Sequence, residues 1–218
     1  RANASAGFSI VSWTDPDTGS VTIGHGLNAA PELIIAKSRT ANFAWAVWHK
    51  ALPRTNSLFL NLTNASTNIN TNYWGTADPT SSVFGVGYTG ESNNEGDMIA
   101  YCFAPVAGYS AFGTYEGNGS SDGPFVYLGF RPALIILKLI EGVASSWKIY
   151  DNSRDPDNPI ENQWYPNSSN AEPADDARCD FLSNGFKVRT AGSEDNYNNN
   201  TFIYAAFAEH PFKTARAR

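Results

Sequence analysis

The chain has 218 residues, a net charge of −6 and a pI of about 5.0; 42% of its residues are hydrophobic, 13% aromatic and 17% charged. That aromatic content excludes global disorder, and an acidic, lightly charged surface excludes a phosphate-driven nucleic-acid binder, which needs a basic stripe. No stretch reaches the roughly 18 apolar residues of a membrane helix; the longest candidate, residues 133–140, is interrupted by Lys138. In chain order, residues 1–6 lack an apolar core of the signal-peptide kind and read as a linker from a longer polypeptide. Residues 8–13 alternate at period 2 and end in the turn Asp15-Pro16-Asp17-Thr18-Gly19. Further strands are expected at 20–23, 33–36 (entered through Pro31), 43–48, 57–60, 83–88 and 98–103. Asn, Gly, Ser, Thr and Pro fill the gaps, as turns require. No segment holds a period of 3.6 over ten or more residues.

The second half repeats the first. Gly7-Phe8-Ser9 returns as Gly108-Tyr109-Ser110, Gly24 as Gly129, and Pro31-Glu32-Leu33-Ile34-Ile35-Ala36-Lys37 as Pro132-Ala133-Leu134-Ile135-Ile136-Leu137-Lys138. Trp45-Ala46-Val47-Trp48-His49 returns as Trp147-Lys148-Ile149-Tyr150-Asp151, Phe84-Gly85-Val86 as Phe186-Lys187-Val188, and Ile99-Ala100-Tyr101-Cys102-Phe103-Ala104 as Ile203-Tyr204-Ala205-Ala206-Phe207-Ala208. Collinear blocks at a nearly constant offset mean a tandem duplication. The expected fold class is all-β: two tandem antiparallel β-sandwich (jelly-roll-like) repeats packed together, with a single larger sandwich built from both halves as the main rival. The expected division is a linker 1–6, repeat 1 over 7–106, repeat 2 over 107–213 and a tail 214–218. Pro31, Pro132, Trp45 and Trp147 mark the core of the repeats, the two tryptophans lying inside strands at matching positions.

The residues that could carry chemistry are few. His25, His49 and His210 lie near no nucleophile elbow, so no triad is read. Asp15, Asp17, Asp155 and Asp157 lack the spacing of a calcium loop and suit turns, and no His/Cys cluster suggests zinc. Asp151, Asp155, Glu161 and Glu172 offer carboxylates for glycoside hydrolysis, but nothing separates them from surface acids. The run Gly117-Asn118-Gly119-Ser120-Ser121-Asp122-Gly123 has neither the Lys nor the helix of a phosphate cradle. Cys102 and Cys179 read as small buried hydrophobes; a bridge between them stays open, because they fall in corresponding late strands of the two halves. No catalytic residue, metal or cofactor is expected. What remains is surface. Tyr73, Trp74, Trp164 and Tyr165 sit in polar, turn-rich stretches, where aromatics serve either as structural plugs or as platforms that grip sugars or proteins.

The run Ile23-Gly24-His25-Gly26-Leu27, then Ile34-Ile35-Ala36-Lys37-Ser38-Arg39, then Trp45-Ala46-Val47-Trp48-His49-Lys50, closes with Ile99 to Ala104 in the first half. The second half adds Gly113-Thr114-Tyr115-Glu116-Gly117-Asn118-Gly119, Gly129-Phe130-Arg131-Pro132 and the ending Ala205-Ala206-Phe207-Ala208-Glu209-His210-Pro211-Phe212-Lys213. This pattern, from Gly7 to Lys213, resembles a module of tailed-phage virion proteins, common in marine phages, at the C-terminal end of tail-fibre-like or other structural proteins. The resemblance implies a virion location, on the particle exterior, and an adhesion or assembly role, with no catalytic residues to carry over. The expected function is a non-enzymatic binding head on a tail fibre or appendage for a host surface glycan or receptor. The alternatives are a capsid-decorating or tail-assembly protein and, less favoured, a polysaccharide depolymerase. The partners expected are other virion proteins, a host cell-surface glycan or protein, and further copies of the chain, a trimer being favoured; nucleic acid and membrane insertion are not expected.

Overall fold

The computed structural model describes residues 1–16, 19–68, 73–87, 93, 96–172 and 176–210. The chain forms two compact units: unit 1 comprises Arg1–Leu62 and Ser66–Val106, and unit 2 comprises Thr63–Ala65 and Ala107–Arg218. The tail 214–218 and the marker Pro211-Phe212-Lys213 lie outside the described residues.

Unit 1 contains β1 (Ala2–Asn3), β2 (Phe8–Thr14), β3 (Val21–Gly24), β4 (Leu33–Ser38), β5 (Ala46–His49), β6 (Asn56–Phe59), β7 (Thr67–Asn68), β8 (Val83–Val86) and β9 (Asp97–Phe103). Its main sheet runs β1-β2-β9-β4-β5-β6-β7, and β3 pairs with β8 in a second, two-stranded sheet. Their inner faces share one core, with Ile34, Trp48, Ala100 and Cys102 from the large sheet and Phe84 and Val86 from the small one. Residues 1–6 are part of this unit rather than a linker: β1 pairs antiparallel with β2, and the turn Ala4–Ala6 is capped by the Asn3 side chain.

Unit 2 contains β10 (Ser110–Glu116), β11 (Phe125–Tyr127), β12 (Pro132–Leu139), β13 (Lys148–Asp151), β14 (Cys179–Leu182), β15 (Gly185–Val188), the short helix α1 (Ser193–Asn196) and β16 (Thr201–Ala208). The sheet β10-β16-β12-β13 faces the sheet β11-β15-β14, and Ile135, Leu137, Tyr150 and Phe202 meet Val126, Phe181, Phe186 and Val188 between them. All named strands pair antiparallel, so the fold is all-β with packed antiparallel sheets.

The two units share a strand order, β2-β9-β4-β5 against β10-β16-β12-β13. Their ladders correct the sequence alignment at two places. Phe103 faces both Leu33 and Phe8, whereas Phe207 faces Leu134 and Ser110, so β10 runs one residue later than the match of Gly7 with Gly108 implies. Both glycines keep a left-handed φ (63° and 74°), and the extra residue lies just after Gly108. Trp13 thereby corresponds to Tyr115. On the other sheet, Gly24 faces Val83 and Tyr127 faces Gly185. Tyr127 is thus the counterpart of Gly24, and it is Gly26 that matches Gly129, both at positive φ.

Of the core markers, Pro31, Pro132 and Trp147 are buried. Trp45 is only half-buried and stacks on Tyr101 at 6.4 Å. Both tryptophans precede their strands rather than lying inside them, where each main-chain N–H is held by an Asn side chain: Trp45 by Asn61 at 2.9 Å, Trp147 by Asn167 at 2.8 Å. Cys102 and Cys179 are free and buried. They are not in corresponding strands, since Cys102 is in β9, the counterpart of β16, while Cys179 is in β14.

Candidate functional site

Tyr73 and Trp74 are not a binding platform. Trp74 is 2% exposed, Tyr73 is fully buried, and both belong to the unit 1 core. The reason is a close backbone approach: a Cβ on Gly75 would lie 2.6 Å from Cα of Gly85. Two glycines let this segment run tightly along β8, with the Gly87 N–H donating to the Tyr73 carbonyl at 2.9 Å. In unit 2 the Arg189 N–H donates to the Arg178 carbonyl in the same way at 2.8 Å. Tyr73 therefore stands where Arg178 stands, and Trp74 where Cys179 does. Trp74 and Trp164 are not equivalent positions.

Trp164 forms a bridge with Ile149, as Leu58 pairs with Val47, so its counterpart is the buried Leu58. Unlike Leu58 it is 46% exposed. The Arg154 guanidinium lies over its ring at 5.8 Å and is itself paired with Asp151 and, at 2.9 Å, with Glu172. Two of the carboxylates considered for hydrolysis are thus occupied by one arginine. A third, Asp155, accepts main-chain N–H groups from Glu161 and Asn162 at 3.0 and 2.7 Å, the work of a turn-forming aspartate. Tyr165 is half-buried, and burial, with the nearby charge of Glu194, raises its pKa.

The histidines also organise turns. His25 Nδ1 accepts from Leu27 N–H at 3.2 Å and its Nε2 meets the Thr80 carbonyl at 3.1 Å. His49 Nδ1 accepts from Ala51 N–H at 3.2 Å, and its counterpart Asp151 accepts from the N–H groups of Ser153 and Arg154.

Sequence reasoning missed two exposed aromatics of unit 2. Phe125 and Tyr127 are 45% and 69% exposed, while Val126 between them is buried in the core. A strand points alternate side chains to opposite faces, so both rings project from the outer face of β11-β15-β14. Phe125 sits opposite Lys187 and Tyr127 opposite Gly185. A Cβ on Gly185 would run first into the Val126 carbonyl and then meet the Phe125 ring at 3.1 Å, so the glycine is required by the close backbone and also leaves room for the ring. Lys187, opposite Phe125, is held by Asp122 at 2.7 Å and by the Gly123 carbonyl at 2.9 Å, and Arg189 pairs with Asp180 at 3.4 Å. The counterparts of Phe125 and Tyr127 in unit 1 are Thr22 and Gly24, both exposed. The fold itself needs no aromatic at either position. The signal was present as Phe-Val-Tyr against Thr-Ile-Gly, but became readable only once the ladder fixed the alignment.

Beneath the surface, unit 2 holds a buried polar cluster around Asp195. Tyr150 donates to Asp195 Oδ1 at 2.8 Å, Tyr115 donates to the Asp195 carbonyl at 2.7 Å, and Lys148 Nζ lies 3.0 Å from Asp195 Oδ2 and 3.1 Å from Glu194 Oε2. Burial, and then the Asp195 charge, push both tyrosines well above their usual pKa. In unit 1 the residues at the positions of Lys148 and Tyr150 are Ala46 and Trp48, and Trp13 Nε1 donates to Asn93 at 2.7 Å.

Comparison with curated proteins gives no match. Among solved structures, the crystal structure of the STIV MCP is similar over 92% of this chain and 95% of that one, at 10% identity and a TM-score of 0.26, a value too low to carry an argument. The profile of a family described as a domain of unknown function, DUF7483, matches residues 1–211. With nearly the whole sequence spanned, the chain belongs to the DUF7483 family.

Proposed function

We propose that this domain is a non-enzymatic binding module of a virion appendage, and that it holds a host-surface glycan on the outer face of β11-β15-β14. The observation that carries the reading is that unit 2 spends two large aromatics, Phe125 and Tyr127, on positions where unit 1 has Thr22 and Gly24. Aromatic faces pack against the C–H faces of sugar rings, while neighbouring charged groups such as Lys187 and Asp122 supply hydrogen bonds to hydroxyls. The resemblance to phage virion modules supports the location. Several copies on one particle would turn weak single sites into tight attachment, an avidity gain of about 10²–10⁴, so a shallow face is sufficient.

The test is a glycan-array and host-cell binding assay on the purified chain, beside the double variant Phe125→Thr, Tyr127→Ser, which restores small side chains like those of unit 1. Binding by the parent that the variant loses supports the reading; binding that the variant keeps refutes the assignment of this face. A second reading is assembly: β11 pairs only with β15 among the described residues, and such an edge can add a strand from another subunit. Sedimentation analysis separates the two, because an assembly face would give an oligomer that the double variant dissolves.

A further inference from the structure

We propose that Lys148 and Asp195 become joined by a spontaneous amide bond between their side chains, tying β13 to the segment that leads into β16. The proposal does not depend on the binding role. It rests on three groups brought together inside unit 2. Lys148 is 1% exposed at its side chain, and its Nζ lies 3.0 Å from Oδ2 of Asp195, itself 2% exposed. A second carboxylate, Glu194 Oε2, lies 3.1 Å from the same nitrogen, and Glu194 is half exposed. The 3.0 Å contact is not aligned as a hydrogen bond: among the described residues neither Lys148 Nζ nor Asp195 Oδ2 has a hydrogen-bond partner of good geometry. Tyr150 donates to the other oxygen, Oδ1, at 2.8 Å, and Arg178 Nη1 stands 3.7 Å from Oδ2. Tyr115, Tyr150 and Cys179 of the core stand beside Asp195.

These are the parts that amide formation needs. A nucleophile and its electrophile held in contact gain from proximity what a bimolecular reaction must find by collision. One proton passing from the ammonium to the carboxylate leaves a neutral amine and a neutral acid. Nζ then adds to Cγ of Asp195, and negative charge grows on Oδ1, where the Tyr150 hydroxyl already points. Glu194 takes a proton from the nitrogen and delivers it to Oδ2. The Cγ–Oδ2 bond breaks, Oδ2 leaves as water, and the Nζ–Cγ amide remains. Amine and acid become amide and water, with no oxidant or further reactant. A buried ion pair is a weak source of stability because both charges lose their hydration; forming the amide removes both charges. Unit 1, with Ala46 at the position of Lys148, cannot form the bond.

The test is the intact mass of the purified full chain, measured in denaturant, followed by peptide mapping. The expected mass is that of the sequence less one water, with a branched peptide that connects Lys148 to Asp195. Lys148→Arg keeps the positive charge but presents a poor nucleophile, and should show the full mass with no branched peptide. Glu194→Gln alters a half-exposed side chain and should leave an unlinked fraction. A folded parent chain that carries its full sequence mass overturns the proposal, as does a branched peptide that survives Lys148→Arg.

Discussion

His25 places a titratable ring in a fully packed position, buried at 1% exposure. Its Nδ1 must be unprotonated to accept from Leu27 N–H, and burial lowers its pKa from 6.5, opposed by the contact to the Thr80 carbonyl. The folded state thus binds the proton less well than the unfolded state. The resulting stability is present above about pH 6.5 and declines as the pH falls below it toward the lower folded value. Thermal melts at pH 8 and pH 5 should show this loss, and His25→Gln should reduce it; an unchanged pH dependence in the variant would remove His25 as the cause. The thiols follow the same logic of desolvation. Burial pushes Cys102 up to about 12, and burial together with the Asp195 charge pushes Cys179 well above its usual value. Since the thiolate is the reactive form, neither cysteine should react with iodoacetamide in the native protein, and both should react in denaturant. Rapid native labelling would contradict their placement.

Among the elements, one device appears in both units. Lys37, in β4, donates to the carbonyls of Ser38 and Ala41, at 2.8 and 3.1 Å. Its counterpart Lys138, in β12, donates to the carbonyls of Leu139, Ser145 and Thr63, at 2.9, 2.8 and 3.2 Å. Each amine fastens the loop that follows its strand. Lys138 interrupts the longest apolar run of the sequence, yet it is buried, and burial draws its pKa down to about 8. Lys138→Met should cost about 1–3 kcal/mol, because the carbonyls it serves lose a buried donor; denaturant unfolding measures it, and a neutral outcome would show the clamp to be idle. The Gly75–Gly85 approach gives a second test. A Cβ on Gly85 would lie 2.9 Å from Gly75 Cα and 3.1 Å from the Trp74 carbonyl oxygen, both backbone atoms. Gly85→Ala should therefore destabilise by roughly 1–3 kcal/mol, as overpacking does. The corresponding position in unit 2 carries Lys187, a quarter exposed at its side chain, so Lys187→Ala should cost less. Equal costs would mean that the close approach does not hold Trp74 in place.

For the molecule as a whole, duplication supplies its own control: what both units keep serves the fold, and what only one has calls for another explanation. The Asn caps at Trp45 and Trp147 and the lysine clamps belong to the first kind, whereas Phe125, Tyr127 and the Lys148–Glu194–Asp195 group belong to the second. The Phe125→Thr, Tyr127→Ser variant should accordingly melt within about 0.5 kcal/mol of the parent, as surface changes usually do, while Phe186→Ala in the unit 2 core should cost about 3–5 kcal/mol. The all-β class, the order of the strands and the repeat were legible from the amino acids alone, because alternation, turn residues and collinear blocks are local properties of the chain. The one-residue offset of β10 was not, since a ladder register is set by the partner strand, and a slip of one residue turns every side chain to the opposite face. For the same reason Tyr73 and Trp74 read as loop aromatics but are buried, whereas Phe125 and Tyr127, which no motif marked, face solvent. Alternation says that neighbouring side chains point to opposite faces; only the packing of a second sheet decides which face is inside. The meeting of Lys148 with Asp195 was hidden from the sequence too, because residues so far apart come within 3.0 Å only when β13 and the segment before β16 close over a common core.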